Sequence, residues 1–134
     1  MASHISYSSH GFWTSNGICE SVYDYILAKA ERDHPAARAK LDRADEADGL
    51  SVCWRAIGLC PKLEDILAVV GDRVLLIDLL ESDEALLDQI TDNSVWRHNL
   101  ELCLNLCARL VRGDGVEDDA FSRSCVSSKP QCSN

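Results

Sequence analysis

The sequence predicts a mainly α protein. The expected fold is an irregular single-domain bundle of five to six helices around a central C-terminal helix at about residues 94–112, with a short N-terminal strand. Three observations carry this. Apolar residues recur at helical spacing in Ile18–Asp33 and again in Ser94–Arg112. Proline and glycine punctuate the chain between these segments. The length of 134 residues, with 46% hydrophobic and 26% charged content, suits one domain with its own core. Aromatic residues make up only 6%, so that core must rest on Leu, Ile, Val, Ala and Cys.

At the N-terminus, His4-Ile5-Ser6-Tyr7-Ser8 alternates polar and apolar residues, the pattern of a short strand. His10-Gly11-Phe12-Trp13 follows, then Thr14-Ser15-Asn16-Gly17, a turn rich in helix N-cap residues. The first helix, Ile18 to Asp33, sets Ile18, Val22, Tyr25 and Ile26 on one side and Glu20, Asp24 and Glu31 on the other. His34-Pro35 ends it, because a residue before proline is pushed out of helical geometry. Pro35 then suits the opening of a second helix, Ala36 to Asp48, which Gly49 closes.

Ser51 to Leu59 reads as a short buried helix or a strand; the helix is favoured because Pro61 restarts a helical pattern through Leu63, Ile66, Leu67 and Val70. Gly71-Asp72 stops that pattern. Arg73–Glu81 and Asp83–Ile90 read as two helices, since one continuous helix would set Asp83 among Leu76 and Leu87; Ser82 is the expected cap of the second. In Ser94–Arg112 the stripe of Trp96, Leu100, Cys103, Cys107 and Leu110 is widened by Leu102, Leu104, Leu106 and Val111, as expected of a helix packed from several sides. Composition changes after Gly115, so residues 1–115 form the expected domain and 116–134 a loosely held tail.

Charge is unevenly placed. Residues 62–92 hold two basic and nine acidic groups, a net −7, against −2 for residues 1–61 and zero for residues 93–134. On a helical projection Asp78, Glu81, Glu84 and Asp88 fall within about a third of a turn, with Asp92 nearby. Such a field attracts basic proteins and repels nucleic acid and anionic lipid. These five residues are the expected partner-binding surface. A plainer reading makes them a solvated face that keeps the protein soluble.

No other constellation stands out. The start, Met1 to Trp13, has neither a basic opening nor an apolar run of seven residues, so no signal peptide is read. Seven cysteines without one suggest a reducing compartment, and cytoplasm is the expected location. Cys103 and Cys107 share a helix face, but it is the apolar face, where a thiol behaves as a small hydrophobe. Cys53 and Cys60, like Cys125 and Cys132, are seven apart, and no Cys-x2-Cys occurs. Cys19, near a helix start, is a candidate for a depressed pKa with His4, His10, His34 or His98 as base, yet no spacing selects a pair. Neither cofactor nor metal is expected. Phe12 and Trp13 read as a plug at one end of the bundle, with an exposed recognition loop as the alternative.

Small, acidic, helical and free of catalytic motifs, the chain resembles in overall character the immunity and antitoxin-type inhibitors that bacteria make against basic toxins. The likeness is one of composition, so no functional residues carry over. It implies a non-enzymatic acidic protein that docks a basic partner. Alternative readings are a small enzyme or ligand-binding domain with a pocket near Trp13, Trp54 and Trp96, and a structural subunit of a homo-oligomer.

Overall fold

A computed structural model describes residues 2–56 and 58–125. The chain opens with an antiparallel hairpin, β1 (Ala2–Tyr7) and β2 (His10–Ser15), in which Ile5 faces Phe12 and Tyr7 faces His10. Ser8 and Ser9 form its turn with φ of 52° and 70°. Two successive left-handed residues match the twist of the flanking strands, and a carboxylate oxygen of Glu64 accepts the Ser8 N–H at 2.8 Å. Gly11 permits the close strand approach, because a Cβ there would lie 2.4 Å from the Ile5 carbonyl oxygen.

Both hairpin edges are partly covered. Ser6 N–H donates to the Pro61 carbonyl at 3.1 Å, and Lys62 bridges Ser6 in parallel. On the other edge Trp13 N–H donates to the Asp118 carbonyl at 2.9 Å.

Strand passes to helix without the separate turn expected at Thr14–Gly17. Helix α1 (Asn16–Asp33) starts directly after β2, with the Ser15 hydroxyl accepting the Ile18 N–H at 3.2 Å. Its buried side includes Ile18, Val22, Tyr25, Ile26 and Ala30, as the apolar spacing requires. Helix α2 (Pro35–Asp48) begins on proline and ends at Gly49, φ 67°. Its buried edge is narrow, Ala37 and Leu41.

The ambiguous segment after Ser51 divides. Val52–Arg55 is one helical turn, α3, which buries Trp54 beside Tyr23. The chain then extends to reach β1 at residues 59–62. Ile57 lies outside the described residues.

Helix α4 (Leu63–Val70) ends at Gly71, and α5 (Arg73–Leu80) is capped by the Asp72 carboxylate. The break before α6 (Glu84–Ile90) stands as expected, but its cap is Asp83, which accepts the Leu86 N–H at 3.2 Å, and not Ser82. Helix α7 has the expected bounds, Ser94–Arg112. It buries Leu100, Cys103, Leu104, Cys107 and Val111 against α1, α5, α6 and the hairpin. Each fully buried leucine contributes about 1.5–3 kcal/mol of apolar transfer. Helix α1 meets at least as many elements, so the core is organised on the α1–α7 pair and not on α7 alone.

The segment expected as a loosely held tail is described as far as residue 125: Val116 and Phe121 are buried and the short helix α8 (Ala120–Ser124) lies against β2 and α7, while residues 117–119 and 122–124 are exposed. Residues 126–134, with Pro130 and Cys132, lie outside the described residues. The molecule is mainly helical with one small N-terminal sheet. No helix among the described residues is long and apolar enough to cross a membrane.

Candidate functional site

The predicted acidic residues sit on α5, the α5–α6 corner, α6 and the loop beyond it. They do not form a bare stripe. Asp78 contacts His34 Nε2 at 2.7 Å, at the junction of α1 and α2. Glu81 lies 4.0 Å from Arg112 of α7. Glu84 and Asp88 share one guanidinium, that of Arg97 on α7. Asp92 has no side-chain partner among the described residues. The structure thus brings Glu84 and Asp88 together and turns Asp78 toward a different neighbour.

Helix α1 locks this corner from beneath. Lys29 is only 6% exposed, and its ammonium donates to the Asp78 and Glu81 carbonyls at 2.7 and 2.8 Å. A cation there donates to carbonyls at the end of α5 and complements its dipole. The Tyr25 hydroxyl also donates to the Glu81 carbonyl. Arg32 bonds Asp33 and reaches Asp83 at 3.0 Å. The Arg32 hydrogen bond, aided by the Leu86 N–H, holds the Asp83 carboxyl below its usual range.

The Arg97 arrangement recurs. Arg32 bridges Asp33 and Asp83, Arg38 bridges Glu31 and Asp42, Arg55 bridges Glu20 and Asp24, and Arg123 bridges Glu117 and Asp119. Each cluster sets two carboxylates on one guanidinium and keeps a net charge of −1. The acid excess is therefore distributed over the surface as partly compensated clusters. Arg97 lies outside the apolar stripe of the last helix, and its spacing in the sequence gives no signal that it pairs across to α6.

A second region differs. Between the end of α2 and α4 lies a groove of about 330 Å³, with Ala44, Leu50, Ala68 and Val69 in its lining and Asp48 and Asp65 beside them. Neither carboxylate has a side-chain partner among the described residues, and no Lys or Arg lines the groove. Val52, 56% exposed, and the exposed Cys53 adjoin it.

The cysteine expectation is corrected. Cys19 is fully buried, and burial pushes its thiol up to about 12 instead of depressing it. Cys103, Ser3, Cys53 and Glu20 stand around it, with no histidine among them. Burial likewise raises Cys107 well above the ordinary thiol range. These thiols are core side chains without nucleophilic character. Among the described residues no group of three His, Cys, Asp or Glu side chains is placed to hold a metal ion.

The tryptophans occupy three environments. Trp54 is buried against Tyr23, and Trp96 donates its indole N–H to Ser21 at 3.0 Å. Trp13 is 47% exposed beside His4, and the groove it shares with Phe121 includes neither of the others. Phe12 is the buried plug, and Trp13 is not part of it. Comparison with protein-family models, with curated proteins and with solved structures finds no match to this chain.

Proposed function

We propose that the chain is a non-enzymatic acidic binding protein that docks a basic protein partner, in the manner of an immunity- or antitoxin-type inhibitor acting in the bacterial cytoplasm. One observation carries this reading: the surface clusters hold two carboxylates per guanidinium, so internal pairing leaves the acid excess outside the core. At the α6–α7 cluster the Glu84 and Asp88 side chains remain 84% and 65% exposed despite sharing Arg97. Lysine or arginine around a partner's active site would be steered toward Glu81, Glu84 and Asp88. Occlusion of that active site is the inhibitory step.

Immobilised protein offered a host lysate should retain a basic protein in stoichiometric amount and release it in salt. Glu84→Lys combined with Asp88→Lys should slow capture about tenfold at low ionic strength. Capture indifferent both to salt and to this double reversal contradicts the reading, as does retention of acidic proteins alone.

A further inference from the structure

We infer that the groove between α2 and α4 is the contact site for an amphipathic helix of the basic partner, taking an apolar side chain on its floor and a neighbouring lysine or arginine between Asp48 and Asp65. This rests on the proposed docking function and names the place where docking becomes short-range contact.

Charge and shape agree on the occupant. The floor is apolar, through Ala44, Leu50, Ala68 and Val69, while Asp48 and Asp65 stand on separate helices beside it. A long basic side chain has this same division, with an apolar stem and a charged head. At about 330 Å³ the groove has room for a side chain or two and is at the small end of ligand-sized cavities. Val52, which lies against the groove-lining Gly49, extends the apolar surface outward.

Asp48 supplies an independent argument. It is the last residue of α2, whose final turn carries no basic residue. The carbonyl end of a helix disfavours negative charge, and among the described residues Asp48 has no side-chain partner to offset this. Asp45, three residues earlier, does have a structural task, since it accepts from the Ser51 N–H and hydroxyl at 2.8 and 2.6 Å. A carboxylate held against its helix dipole without an internal partner is placed for an external cation.

The test is a chemical-shift titration of the isotope-labelled protein with a blocked helical peptide bearing leucine on one face and arginine beside it. Shifts should centre on Ala44, Leu50, Ala68 and Val69. Asp48→Asn with Asp65→Asn should weaken the peptide about tenfold while leaving the spectrum otherwise native. Shifts centred on Glu81, Glu84 and Asp88 overturn the groove assignment and leave the docking function standing. A peptide that shifts neither region overturns both.

Discussion

The α5–α6 corner and the α2–α4 groove are both acidic, yet their carboxylates have different employments. At the corner the charges are engaged internally, through His34 at Asp78, Arg32 at Asp83, Arg97 at Glu84 and Asp88, and Arg112 at Glu81. In the groove Asp48 and Asp65 stand beside apolar side chains without side-chain partners among the described residues. Linear charge density therefore marks where a field originates, and a separate property, the lack of internal cations, marks where contact can occur. Within the acidic run at residues 62–92 the fold answers Asp78, Glu81, Asp83, Glu84 and Asp88, and leaves Asp65 and Asp92 without a side-chain partner among the described residues.

The largest expected effect is at the corner's foundation. Lys29→Met keeps the buried stem but leaves the Asp78 and Glu81 carbonyls without their cation. It should lower unfolding free energy by about 2–3 kcal/mol in denaturant titration. An unchanged midpoint would show that the corner holds without α1.

Next in size, Tyr25→Phe removes one hydroxyl from the Glu81 carbonyl and should cost about 1 kcal/mol in the same titration. Arg97→Gln leaves Glu84 and Asp88 facing one another across one helical turn and should cost about 0.5 kcal/mol. Asp48→Asn should have the opposite sign. Removing negative charge from the end of α2 should raise stability by a few tenths of a kcal/mol. A clear loss of stability there would mean that Asp48 serves the fold.

Acid unfolding separates the regions further. The folded-state pKa of Asp83 is depressed below the ordinary value of 3.8, chiefly by Arg32. Its contribution is thus fully present above that ordinary value and is lost as pH falls through the depressed one. Replacing Arg32 with glutamine should flatten the decline of stability in this acid range, measured by denaturant midpoints at successive pH values. An equally steep decline would contradict the Arg32–Asp83 coupling.

The parts of the fold that depend on local pattern were legible. The apolar spacing of α1 and α7, Pro35 at the start of α2, Gly71 after α4 and the interruption between α5 and α6 all read directly from neighbouring residues. Features made by distant residues did not. The Ser8–Ser9 turn has left-handed geometry without the glycine or asparagine that usually announces it, and a carboxylate from Glu64 braces it. Phe121 looks like a lone aromatic in a polar tail until the hairpin and α7 provide its cleft. The same limit applied to charge: Asp78 to Asp92 could be counted, but Arg97 and Arg112 are delivered to them only by tertiary packing.

The two kinds of acidic surface should separate in kinetics. Exposed charges that act through their field govern association, and charges in packed contact govern dissociation. Stopped-flow binding of a fluorescent leucine–arginine helical peptide at low salt tests this directly. Glu84→Gln with Asp88→Gln should slow association and leave dissociation unchanged, while Asp48→Asn with Asp65→Asn should speed dissociation and barely alter association. Exchange of these two effects, with the groove variant altering only association and the corner variant only dissociation, would contradict the account.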